Sequence, residues 1–199
     1  MKNALIIIDV QNDFCPGGAL AVDSGDEIIP LINSMWQNHD IRCLTQDWHP
    51  KGHSSFASSH EGKAPFEATE MFYGAQMLWP DHCVIGSDGA AFHPDLETGH
   101  ANMIVRKGIN PAVDSYSAFF ENDHKTSTGL HGYLQSLGVT EVNLAGLATD
   151  YCVAHSALDA AKLGYEVRVL EAACRAIDLD GSLDKARTEM REANITLEF

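Results

Sequence analysis

EVNLAGLATDYCVAHSALDA, residues 141–160, passes from a short apolar run through a compact turn into a segment with helical spacing. Glu141–Leu147 reads as a buried strand, and Asp150–Leu163 places Val, Ala and Leu on one face of a helix that Gly164 stops. Strand, turn and helix in that order make the first half of a βαβ unit. The same strand pattern recurs at Ala4–Asp9, Ile41–Asp47, Asn102–Lys107 and Glu166–Glu171. Helical spacing recurs at Asp26–Asn38 and at Thr128–Leu137, the latter ended by Gly138. Asp184–Ala193 reads as an exposed helix and Ile195–Phe199 as a last edge strand. The alternation predicts an α/β fold, a three-layer α/β/α sandwich around a mostly parallel sheet.

The whole chain fits one such unit. With 199 residues and 45% apolar composition it can bury a substantial core, and no repeat or linker divides it. A single domain over 1–199 is therefore expected. The segment from Trp48 to Ala101 is rich in Gly, Pro, Ser and His and too long for a simple connector, so it reads as a functional loop region. The longest apolar runs, such as Ala4–Ile8, fall far short of the about 18 residues of a membrane span, and the N-terminal run lacks a secretory cleavage pattern. A cytoplasmic location without a membrane partner is the expectation. The formal charge of -15, from 13 basic and 28 acidic residues, repels phosphate backbones and argues against a nucleic-acid partner. Five cysteines without close pairing argue against a disulfide framework and a zinc knuckle.

In open parallel sheets, ligands gather beyond the carboxyl ends of the strands. Those ends carry Asp9, Asp47, Lys107 and the turn Gly146–Cys152. Cys152 falls in the first turn of its helix, with Thr149 or Asp150 as cap. Free N–H groups and the positive dipole end there stabilise a thiolate and can lower a thiol from about 8.5 into or below the neutral range. An arbitrary cysteine is more often a small buried apolar residue, which is the reading given to Cys15, Cys43, Cys83 and Cys174. Acyl transfer through sulfur also needs a proton acceptor. Asp9 is the candidate, with Lys107 holding it ionised and aiding thiolate formation. Taken alone, an Asp at a strand end often begins a turn, and a Lys there is usually solvated.

Asp47-Trp48-His49 opens the long loop, and His53, His60, His82 and His93 follow within it. An Asp-x-His pair on extended chain can turn both ligating atoms toward one ion, with His82 supplied from further along. Mixed oxygen and nitrogen ligands suit Zn, Fe or Mn and leave positions for water or substrate. A polar loop in a chain with ten histidines also collects some by chance.

Seven segments in one order carry a more specific signal: Asp9–Phe14 with Gly17-Gly18, Asp47-Trp48-His49-Pro50, Trp79–Val84, Gly89–His93, Lys107-Gly108, Asp114–Phe119 and Gly146–Cys152. Together they resemble the nicotinamidases, within the wider family of isochorismatase-like cysteine hydrolases. The resemblance implies hydrolysis of nicotinamide to nicotinate and ammonia through a cysteine thioester, with pyrazinamide as a further substrate. It implies catalytic Asp9, Lys107 and Cys152, and one divalent metal ion held by Asp47, His49 and His82. It also implies a cis peptide before Ala148, so that the N–H groups of Ala148 and Cys152 face the developing oxyanion. Phe14, Trp79, Tyr116 and Tyr151 would surround the flat ring, whose nitrogen would meet the metal. A fourth ligand varies among relatives, which leaves His53 as a candidate beside water, and a homo-oligomer stays open. A related enzyme acting on another small amide or an N-carbamoyl compound keeps the same triad, and the three metal ligands disfavour it. A non-catalytic metal-binding protein, with the triad as a structural ion pair, is the reading from another class.

Overall fold

A computed structural model describes residues 2–199. Six strands form one parallel sheet: β1 (Asn3–Ile8), β2 (Ile41–Asp47), β5 (Met103–Lys107), β6 (Glu141–Leu147), β7 (Glu166–Arg175) and β8 (Thr196–Glu198). Their order across the sheet is β5-β2-β1-β6-β7-β8, with every neighbouring pair parallel. β1 and β6 are buried along nearly their whole length because helices cover both faces, which is why they read as unbroken apolar runs rather than alternating ones. The edge strands β5 and β8 keep exposed positions.

The helices are α1 (Ile29–Met35), α2 (Leu130–Ser136), α3 (Ala154–Lys162) and α4 (Ser182–Glu192). Single tight turns at Gly25–Ile28 and Trp36–Asn38 flank α1, and the three pieces together fill the helix expected over Asp26–Asn38. None of the described helices is long and apolar enough to cross a membrane.

Two elements differ from expectation. β7 runs to Arg175 instead of stopping at Glu171. Between the pairs Leu144–Val169 and Gly146–Cys174 it carries Leu170–Ala173 against the single Ala145 of β6, so the strand bulges and then rejoins the sheet. Gly146 makes that junction feasible: its φ is +124°, and a Cβ there would run into the backbone of Ile8. The second difference lies inside the long loop. Ala68–Met71 (β3) and Gly74–Met77 (β4) pair as an antiparallel hairpin, apart from the main sheet. Their mostly exposed faces, with Gln76 as the buried position, give no alternating apolar signal.

The rest of segment 48–101 lies across the strand ends. His49 bridges to Val84, Phe56 to Trp79, and Phe92 back to Gln11 beyond β1. These bridges carry Trp79 and His82 over the carboxyl ends of β1 and β2. The sheet order changes direction at β1, whose neighbours are β2 on one side and β6 on the other, so a crevice opens between the ends of β1 and β6.

Candidate active site

Asp9 follows β1 with a φ of 48°, which turns its buried carboxyl toward that crevice. Thr45 on β2 donates its hydroxyl to Asp9 Oδ1 at 2.6 Å and accepts the Asp9 N–H at 3.2 Å. Lys107 at the end of β5 places Nζ 2.8 Å from Asp9 Oδ2 and 2.9 Å from Asp47 Oδ1, and donates to the Ser115 carbonyl at 2.8 Å. Cys152 Sγ lies 3.6 Å from the same ammonium. Asp9, Lys107 and Cys152 thus converge from the ends of β1, β5 and β6, as their strand-end positions lead one to expect.

The electrostatics differ from expectation. Burial pushes the Cys152 thiol well above the ordinary thiol range; Lys107 opposes this, while Asp9 and Asp47 add to it. Burial likewise raises Asp9, and Lys107 does not overcome it. Lys107 itself, despite burial, is held well above the usual lysine range by Asp47 and Asp9. Desolvation and two neighbouring carboxylates act against the thiolate that the helix-start position was expected to favour. Burial thus raises the proton affinity of both Cys152 and Asp9, with Lys107 opposing it at each, which suits proton exchange between them during reaction.

The chain around Cys152 also departs from a simple capped helix. Thr149–Val153 forms a wide turn in which the Val153 N–H reaches the Ala148 carbonyl at 3.1 Å, and α3 begins only at Ala154. Neither Thr149 nor Asp150 caps it through a side chain. Asp150 instead accepts hydrogen bonds from the Ile177 N–H, the Asp178 N–H and the Ser182 hydroxyl. The Leu147–Ala148 peptide is cis.

Asp47, His49 and His82 are buried and meet beside the triad. Asp47 Oδ2 lies 3.0 Å from His49 Nε2 and 3.3 Å from His82 Nε2. Each imidazole engages a backbone carbonyl through its other nitrogen: His49 Nδ1 with Gly108 O at 3.0 Å, and His82 Nδ1 with Pro80 O at 2.8 Å. If those Nδ1 atoms carry the protons, both Nε2 lone pairs point at the Asp47 carboxylate, which is the orientation a metal site requires. This donor set fits a divalent cation. Gly108 at φ +70° lies so near His49 that a Cβ would collide with the ring. His53 has both nitrogens engaged, with Ser55 Oγ and with Asn110 O, each at 2.8 Å, and it forms a separate cluster with His49 and Asp114.

A cavity lies over these groups, and Asp47, His82 and Cys152 line it together with Phe14, Trp79, Tyr116 and Tyr151. Trp79 and Tyr151 meet edge to face with centroids 4.9 Å apart, and Trp79 donates its indole N–H to the Tyr116 hydroxyl at 3.1 Å. All four aromatics singled out in the sequence reach this wall, together with Ala148.

Several supporting residues were not singled out. Gln11 clamps β2 by accepting the Asp47 N–H at 2.7 Å and donating to the Asp47 carbonyl at 2.8 Å. Thr45, Ser115, Asp114, Leu20 and Ile177 complete the surroundings of the triad and the cavity. Gln11 and Asp114 lie inside the quoted motifs, so their position was visible although their role was not. Leu20 and Ile177 carried no signal, because nothing local distinguishes an apolar wall residue from core.

Residues 3–197 match the isochorismatase domain family. The chain is 51% identical over 192 residues to a nicotinamidase of Acinetobacter baylyi, covering 96% of this chain and 90% of that protein. Among solved structures it superposes on a nicotinamidase pyrazinamidase of Acinetobacter baumanii with a TM-score of 0.98 at 51% identity, covering 99% of this chain and 95% of the other. A pyrazinamidase of Pyrococcus horikoshii in complex with zinc gives a TM-score of 0.79 at 35% identity, with 100% of both chains covered.

Proposed function

The chain belongs to the isochorismatase family, and from that premise we infer that it is an amidohydrolase converting nicotinamide to nicotinate and ammonia. The observation that carries the mechanism is the contact of Cys152 Sγ with Lys107 Nζ at 3.6 Å, on an ammonium that also holds Asp9 at 2.8 Å, in the floor of an aromatic cavity.

In this reading Cys152 gives its proton to Asp9 as Sγ bonds to the carboxamide carbon, and the carbonyl π pair moves to oxygen. The oxyanion forms toward the N–H groups of Ala148 and Cys152, donors typically worth about 3–4 kcal/mol in a transition state. Asp9 returns the proton to nitrogen, the C–N bond breaks and ammonia leaves a thioester. Asp9 then takes a proton from water as the oxygen attacks, and the restored thiol and nicotinate follow. Lys107 balances the negative charge of Asp9 and Asp47 without exchanging a proton. Phe14, Trp79, Tyr116 and Tyr151 hold the ring flat, so the carbonyl carbon stays over sulfur.

Asp47, His49 and His82 would hold one divalent cation, zinc, iron or manganese, with His53 or water beside them. Such an ion would supply a Lewis acid beside the bound ring. Pyrazinamide, which keeps a ring nitrogen and a carboxamide, is a second substrate on the same grounds. Residues 1–199 act as one domain, with the region of about 48–101 capping substrate and supplying metal ligands.

Replacing Cys152 with Ala is expected to abolish ammonia release from nicotinamide while equilibrium binding of nicotinamide persists. Retained turnover in that variant would refute the thioester route.

A further inference from the structure

Asp150 is a buried carboxylate two positions before the nucleophile, and the chemistry above leaves it without a role. No basic side chain pairs with it among the described residues' ion pairs. Its oxygens are taken instead by the connection from β7 to α4. Oδ1 accepts the Ile177 N–H at 3.0 Å; Oδ2 accepts the Asp178 N–H at 2.8 Å and the Ser182 hydroxyl at 2.5 Å. That connection has little regular structure to hold it, and Asp178, Asp180 and Gly181 all have positive φ, at 53°, 50° and 81°. It nevertheless carries Ile177 into the wall of the catalytic cavity, where Ile177 shares the lining with Ala148, Tyr151 and Cys152.

We propose that Asp150 is a specificity-determining positioning residue, which latches the 176–181 connection onto the nucleophile turn so that Ile177 closes the cavity to aromatic amides larger than a single ring. The latch joins two walls of one cavity. Tyr151 and Cys152 leave the turn on the Asp150 side, and Ile177 is hung from the same carboxylate on the other. Charge-assisted hydrogen bonds to backbone N–H groups are the strong kind, and two of them act on adjacent residues, which fixes the direction of the chain as well as its distance. The latch is also reachable from outside. Asp150, Tyr151 and Ser182 line a second groove between α3 and α4.

The inference rests on the nicotinamide-hydrolase reading, and its test separates the two. Asp150→Asn keeps the shape but has one acceptor oxygen, so in either amide orientation the Ile177 or the Asp178 N–H loses its partner. Ammonia release is measured for nicotinamide and for quinoline-3-carboxamide, a two-ring carboxamide that keeps the ring nitrogen. For Asp150→Asn, KM for nicotinamide should rise roughly tenfold with kcat changed by less than about threefold, in line with loss of one buried hydrogen bond to a charged group. The ratio of kcat/KM for the two-ring amide to that for nicotinamide should rise by a similar factor. Ser182→Ala and Ile177→Ala should move the ratio in the same direction, and they decide the outcome if Asp150→Asn does not fold. A uniform loss of stability or of kcat does not change that ratio. An unchanged ratio in all folded variants overturns the latch alone, whereas absence of ammonia release by the unaltered protein overturns the underlying reading.

Discussion

At the scale of single residues, the site works through burial as much as through residue type. Asp9 and Cys152 are both shifted upward by desolvation, which brings their proton affinities to the same side of the ordinary values. Thr45 tempers this, because its hydroxyl bond to Asp9 Oδ1 favours the charged form. The sign of its removal follows. A proton acceptor must be ionised to work, so activity is lost as pH falls through the Asp9 pKa, and loss of the Thr45 bond raises that pKa further. Thr45→Val should therefore move the acid limb of the kcat/KM profile to higher pH and lower kcat at neutral pH about tenfold, as read in an ammonia assay across pH. The proposed metal ligands carry a second pH dependence. Burial lowers the pKa of His49, but the Asp47 carboxylate outweighs it and the net shift is upward, so without a cation His49 keeps its proton to higher pH than a free histidine. Metal binding must displace that proton. Affinity, measured by chelator competition, should fall as pH is lowered, by up to about tenfold per unit.

Among the elements, two glycines show how strand ends set the chemistry. Gly108 follows β5, one residue after Lys107, and lets the chain turn while its carbonyl holds His49 Nδ1. Gly108→Ala puts a methyl group against the His49 ring, and the expected result is a marked loss of bound metal by elemental analysis, with Lys107 still in place. Gly146 stands on β6 beside the β7 bulge and against Ile8, and Gly146→Ala should cost about 3 kcal/mol or more in chemical denaturation, because backbone rather than a flexible side chain must give way. The β3–β4 hairpin shows the limit of local reading. Its one fully buried side chain, Gln76, donates to Asp114 Oδ2 at 2.7 Å and to the Tyr116 hydroxyl at 2.8 Å, so the element is held by polar contacts to the cavity wall. Apolar periodicity, which reveals β1, β2 and β6, has nothing to detect there.

Across the whole molecule, the proposed cation site would tie the long loop to the sheet. Asp47 belongs to β2, while His49 and His82 belong to segment 48–101, so a bound ion joins parts that the fold otherwise connects through loop contacts. An ion that binds only the folded chain stabilises it by about 2.7 kcal/mol at a hundred times its Kd. Chelation should lower the melting temperature, and re-addition of zinc, iron or manganese should restore it; a melting temperature indifferent to both would count against the site.

Periodicity, glycine stops and motif order are local properties of the chain, and they made legible the alternation of strands and helices, the strand ends that carry Asp9, Asp47 and Lys107, and the cysteine after β6. What depends on the closed fold is that burial raises the Cys152 thiol, that Asp150 binds the 176–181 connection instead of capping a helix, and that Ile177 and Leu20 face a cavity. The physical reason is the same in each case. Solvent exclusion and hydrogen-bond partnership are set by groups far apart along the chain, and they exist only once the chain has closed around them.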